Sequence, residues 1–104
     1  MKKVRMTPIA LKDLKEIISY IFEELLSEEA TLRTVKQIIE SYEKLAELPL
    51  MGKKLSSVIE VDKDYRFIIT GKYIIFYKVE EEFISIYRIL YGRRNYMEIL
   101  FNNF

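Results

Sequence analysis

Phe83 to Tyr96, FISIYRILYGRRNY, is the stretch on which the fold turns. Five residues, apolar or aromatic apart from Ser85, lead to Arg88, and Ile89, Leu90 and Tyr91 follow it. Gly92 breaks the run, and Arg93, Arg94, Asn95 and Tyr96 come next. A near-continuous apolar run bounded by breakers reads as a β-strand covered on both faces. Its basic and aromatic end is where a rigid element can present a working surface. In an alternating strand Arg88 shares parity with Ile84, Ile86 and Leu90, so it is expected to point at covered surface. A covered arginine needs a partner. The expectation for Arg88 is a structural ion pair, with Glu16, Glu43 and Glu98 as candidate partners and a functional role as the alternative.

Working back from this strand, Tyr65–Thr70 (YRFIIT) and Tyr73–Val79 (YIIFYKV) read as two more strands. Gly71-Lys72 between them has the length and residue type of a two-residue hairpin turn. Glu80 to Glu82 forms the next turn. Leu50 to Asp64 is the loosest stretch, with a turn at Met51-Gly52-Lys53-Lys54 and a short strand expected over Val58–Val61.

The first half of the chain has the helical period. Thr7-Pro8 predicts a helix start, with Thr7 as N-cap and Pro8 in the first turn, where its missing N–H costs nothing. Leu14, Ile17, Ile18, Ile21 and Leu25 then fall on one face. Ser27 is the expected cap of a second helix, with Glu28 and Glu29 near the positive end of its dipole. Val35, Ile38, Ile39, Tyr42, Leu45 and Ala46 repeat the spacing, and Leu48-Pro49 stops it. Lys2 to Met6 is a short edge strand. Helices followed by a meander give an α+β fold: an N-terminal helical hairpin packed on one face of a small antiparallel sheet.

Composition narrows the chemistry. The 104 residues suffice for one domain with a single core. There are no cysteines and no histidines, which removes disulfides, thiol nucleophiles, Cys and His zinc sites and the Ser-His-Asp triad. Any general base is then Asp, Glu, Lys, Tyr or a terminus. No acidic spacing indicates a metal, the three glycines form no phosphate loop, and no cofactor is expected. Net charge is only +1, but acidic residues are concentrated in the first two thirds and the C-terminal half has a local positive bias. No uncharged run exceeds six residues and no signal-like segment opens the chain, so the expected location is the cytoplasm. Arg93-Arg94 beside Gly92, with Tyr91 and Tyr96, is the best-placed candidate surface for phosphate or an acidic partner. Lys53, Lys54 and Lys72 read as a solvated rim.

Order and motifs together resemble toxins of the RelE/ParE superfamily, the toxic halves of type II toxin–antitoxin modules. The carrying features are VRMTPIALKDLKEIISYI, LAELPLMGKKL, YRFIITGKYIIFYKV and ISIYRILYGRRNYMEIL, in the family's order and over nearly the whole chain. The resemblance implies one toxin domain over residues 1–104 and the same α+β fold. It implies one of two activities: mRNA cleavage in the ribosome by RelE-like members, or inhibition of DNA gyrase by ParE-like members. It also implies a small antitoxin that wraps the protein.

For a ribonuclease, the resemblance matches Arg66, Arg94 (with Arg93 as the alternative) and Tyr96 to the family's basic and tyrosine positions. Against that reading, Ile68 and Ile74 stand where RelE has a lysine and an arginine. The strand–Gly-Arg-Arg ending is closer to ParE-like members of the plasmid-stabilisation branch, with Arg93, Arg94, Tyr91 and Tyr96 as target-binding residues. The expected function is therefore a growth-inhibiting toxin acting on gyrase. The alternatives are a ribosome-dependent endoribonuclease and a non-toxic antitoxin-binding module. An antitoxin helix or strand needs a groove between hairpin and sheet or along an edge strand. Ile99, Leu100, Phe101 and Phe104 are expected to dock on the core as a short C-terminal helical turn.

Overall fold

The computed structural model describes residues 2–57 and 64–92. Strand β1 (Lys3–Met6) leads into helix α1 (Pro8–Leu25) and helix α2 (Glu28–Glu43). A 3₁₀ turn (Lys44–Ala46), a two-residue strand β2 (Lys53–Lys54) and a second 3₁₀ turn (Leu55–Ser57) follow. Strands β3 (Tyr65–Thr70), β4 (Tyr73–Val79) and β5 (Phe83–Tyr91) complete the described chain. The five strands form one sheet in the order β1-β5-β4-β3-β2.

Both helix starts follow from their caps. The Thr7 side chain accepts from the Ala10 N–H and the Ser27 side chain from the Ala30 N–H, each satisfying a donor that the first turn leaves open. α1 ends on Leu26, whose φ of 48° is left-handed and whose N–H bonds to Phe22 O. α2 stops at Glu43 and tightens into the 3₁₀ turn before Leu48-Pro49 is reached.

Gly71-Lys72 is the expected tight turn: Thr70 pairs with Tyr73, and Gly71 has a φ of 57°. The meander β3-β4-β5 is antiparallel throughout. β1 is parallel to β5, with Lys3 beside Phe83 and Met6 beside Ile86, so the sheet is mixed. The physical reason is that β1 is separated from β5 by the whole helical hairpin and meander, and such a crossover can return a strand in either sense.

The sheet has an apolar cluster on each face. Ala10, Leu14, Ile21, Ile38 and Leu45 pack with Tyr73, Ile75, Tyr77, Ile84, Ile86 and Ile89 on the helix side. Leu55, Tyr65, Ile74, Phe76 and Leu90 cluster on the other. Strand β5 is therefore covered on both faces, as its continuous apolar run requires. Leu25, expected on the core stripe, is 52% exposed because it lies in the last turn of α1. The strand expected over Val58–Val61 and the C-terminal helical turn lie outside the described residues. Among those described, no helix is long and apolar enough to cross a membrane.

Candidate target-binding surface

The site is built around the C-terminal end of β5. β1 ends at Met6, so beyond Ile86 strand β5 has no β1 residue beside it. The start of α1 takes over that edge. Thr7 donates its N–H to Ile86 O (3.0 Å) and its hydroxyl to Tyr87 O (3.1 Å). Asp13 accepts the Ile89 N–H at 3.1 Å. The same carboxylate holds Arg88 in a fork, Nε to Oδ2 at 2.8 Å and Nη2 to Oδ1 at 3.0 Å. Asp13, 8% exposed, thus has both its oxygens engaged, which is what a covered carboxylate requires.

The partner of Arg88 is therefore Asp13 and not one of the glutamates expected from sequence. Glu98 lies outside the described residues. A β-bulge explains the geometry. Tyr77 faces Ile86 and Phe76 faces Arg88, so Tyr87 is an extra residue on β5 and the alternation restarts there. Ile84 and Ile86 reach the helix side, as does Arg88 through Asp13; after the bulge Ile89 does so, while Leu90 joins the opposite cluster. Strict parity fails at that step.

Above the clamp lies an aromatic cleft. Tyr73 and Tyr91 are cross-strand partners with rings edge-to-face at 5.9 Å. Tyr20 of α1, 60% exposed, stands beside them. These three tyrosines are shared by two adjoining cavities. One, of about 440 Å³, extends towards Asp13, Glu16 and Arg88. The other, of about 470 Å³, extends towards Thr34, Gln37 and Lys72. Burial, and then the neighbouring Tyr91 and Tyr20, raise the Tyr73 pKa above its ordinary 10.0, so its hydroxyl stays a donor at neutral pH. Such a surface suits a partner that brings apolar bulk and hydrogen-bond acceptors.

Gly92 sits against this end. Its N–H donates to Lys72 O at 2.6 Å, closing β5 on the hairpin turn. A Cβ at this position would lie 2.7 Å from Ile74 Cγ1 and 3.2 Å from Lys72 O, so only glycine fits without a shift. Gly92 is thereby held against the hairpin turn, directly after Tyr91 at the end of β5. Arg93, Arg94 and Tyr96 lie outside the described residues.

Arg66 is placed elsewhere. It pairs with Tyr77 on β4, whereas Tyr91 pairs with Tyr73. Four residues of strand, about 13 Å, separate those two levels. Arg66 donates to Gly52 O at 2.8 Å and to Leu50 O at 3.5 Å. The Tyr77 hydroxyl ties the same loop, accepting from Gly52 N–H at 2.9 Å and donating to Pro49 O at 2.8 Å. Burial raises the Tyr77 pKa, against smaller opposing effects of the Gly52 bond and Arg66. Ile68 packs against the helix-side core and Ile74 is buried on the opposite face, so neither position faces a polar site. Lys53 and Lys54 are exposed on the edge strand.

Sequence reasoning missed Asp13, Tyr20 and Tyr73. Asp13 had a readable signal: it is a charged residue in line with Ala10, Leu14 and Ile17 on the core side of α1. Among the described residues no group of three or more Asp and Glu is placed to hold a metal ion.

The comparisons with known proteins agree with this architecture. A family model described as the ParE toxin of the type II toxin–antitoxin system parDE matches residues 4–96. No curated protein matches the chain in sequence. Among solved structures, a chain of the chromosomal ParDE toxin–antitoxin system from P. aeruginosa superposes with a TM-score of 0.70. The alignment has 24% identity and covers 86% of this chain and 94% of that one.

Proposed function

The chain belongs to the ParE toxin family of type II toxin–antitoxin systems, and on that premise we propose that it arrests growth by binding DNA gyrase in the cytoplasm. In this reading the contact is made by Tyr91 and the residues that follow Gly92, with Arg93, Arg94 and Tyr96 supplying cations and a hydroxyl. The family implies an antitoxin partner, and the cleft around Tyr20, Tyr73 and Tyr91 is the groove we assign to it.

The observation that carries binding over cleavage is the position of Arg66. Stabilising a crowded phosphate takes cations free to turn towards it. Arg66 is instead engaged by the carbonyls of Gly52 and Leu50, on the level of Tyr77 and away from Tyr91. Ile68 and Ile74 occupy apolar clusters where a ribonuclease of the RelE kind has cations. A binding surface needs none of these groups.

The test is induction of the toxin without antitoxin, with mRNA ends mapped on translating ribosomes. The proposal expects growth arrest, no new cleavage sites, and loss of the arrest in Arg94→Ala. Cleavage at codon-specific sites that disappears in Arg94→Ala establishes the ribonuclease instead. Full growth of the induced strain leaves an antitoxin-binding module.

A further inference from the structure

The tyrosine cleft has a charged rim. Glu16, Tyr20 and Glu24 are spaced four residues apart on α1 and so form one row along its surface. Glu16 lines the 440 Å³ cavity, Glu24 lines the 470 Å³ cavity, and Tyr20 lines both. Both glutamates are exposed, and neither takes part in an ion pair among the described residues. Lys12, one turn before Glu16, is exposed and lines neither cavity.

The other described residues of the cleft leave this charge standing. Arg88 is matched by Asp13, so that pair adds no net charge to the first cavity. Lys72 lines the second cavity from the hairpin side and makes no ion pair with Glu24. The α1 side is therefore acidic at two points, two turns or about 12 Å apart at 1.5 Å per residue. Between them the cleft is aromatic, from Tyr20, Tyr73 and Tyr91. Such a surface is matched by an occupant that brings cations to the rim and apolar bulk to the middle.

We infer that the segment filling the cleft is a basic amphipathic helix of the antitoxin, laid along α1. Its cations meet Glu16 and Glu24, and an apolar side chain between them sits among Tyr20, Tyr73 and Tyr91. The inference rests on the assignment of the cleft to the antitoxin and adds the charge of the segment that fills it. On that helix the row reads cation, apolar residue, cation at intervals of three or four residues, because the two glutamates are two turns apart. An acidic segment gains only Lys72 and meets both glutamates, so like charge disfavours it.

Binding kinetics of the full chain with purified antitoxin test this. Glu16→Lys and Glu24→Lys should each weaken the complex about tenfold, and the neutral Glu16→Gln and Glu24→Gln about threefold. The gap between parent and reversed chains should narrow as salt is raised from about 0.05 to 0.5 M. Both positions are exposed, so equal melting temperatures verify that only binding has changed. Tyr20→Ser reads the groove itself and should also weaken binding. Weakening by Tyr20→Ser without weakening by either reversal keeps the cleft as the antitoxin groove and overturns the basic occupant. Tighter binding on reversal identifies an acidic occupant and overturns it too. Binding indifferent to Tyr20→Ser and to both reversals removes the antitoxin from the cleft, and the inference falls with that assignment.

Discussion

The carboxylate of Asp13 grips Arg88 with both oxygens, at 2.8 and 3.0 Å, and takes the Ile89 N–H with one of them. This joins α1 to β5 at the bulge, where the strand ladder changes parity. Removing one member of a covered pair leaves the other charged and unmatched, which costs about 3–5 kcal/mol. Asp13→Ala is expected to lose stability of that order in urea unfolding. Asp13→Asn keeps an acceptor for Ile89 and should lose less. Equal losses in the two variants would mean that the charge accounts for the whole loss and the acceptor for Ile89 adds little.

Gly92 is held between Lys72 and Ile74. Gly92→Ala forces its methyl group to within 2.7 Å of Ile74 Cγ1, and overpacking of this kind costs roughly 1–3 kcal/mol. The shift falls on the end of β5, so the variant should also lose growth inhibition. A fully stable, fully toxic Gly92→Ala protein would show that the close packing of Gly92 on Ile74 is unimportant.

The Tyr77 hydroxyl satisfies both Gly52 N–H and Pro49 O. Tyr77→Phe leaves the buried Gly52 N–H and the part-buried Pro49 O without this partner, for a loss of about 1–3 kcal/mol. Because Tyr77 is wholly buried, the ring itself stays packed and the loss isolates the hydroxyl. Thermal melts of the two proteins measure it directly.

What was legible in the sequence is what rests on local chemistry. Thr7-Pro8, Ser27 and Gly71-Lys72 each specify their turn or cap within a few residues, and the two helices and the meander follow from period alone. The need of Arg88 for a partner was readable too, since a charge inside an apolar strand must be matched. Its identity was not, because Asp13 lies 75 residues away and the bulge at Tyr87 redirects the strand. The parallel sense of β1 and the tether from Arg66 to the loop at Gly52 have the same character. Both are set by where distant segments meet, which spacing within one segment does not encode.

Burial raises the pKa values of Tyr65, Tyr73 and Tyr77 above the ordinary 10.0. A raised folded value means that the unfolded chain loses these protons first as pH climbs. The stabilisation is complete below pH 10.0 and is lost as pH rises from there through the folded values. Melting temperature is therefore expected to fall as pH rises above about 10, with tyrosinate absorbance lagging that of the denatured chain. Coincident titration of folded and denatured protein would contradict this.

Leu26 ends α1 in the left-handed region and is 83% exposed. A side chain there costs about 1–2 kcal/mol against glycine, partly offset by the greater freedom of glycine in the unfolded chain. Leu26→Gly should stabilise the protein by up to about 1 kcal/mol, visible as a raised urea midpoint.

Binding of gyrase, and not cutting of RNA, is the activity proposed for this ParE-family chain. Supercoiling of relaxed plasmid by purified gyrase, titrated with the protein, tests it most directly. The account predicts that supercoiling falls as toxin is added, that antitoxin restores it, and that Arg93→Ala with Arg94→Ala abolishes the effect. Supercoiling that continues undiminished at a large molar excess of correctly folded toxin contradicts it.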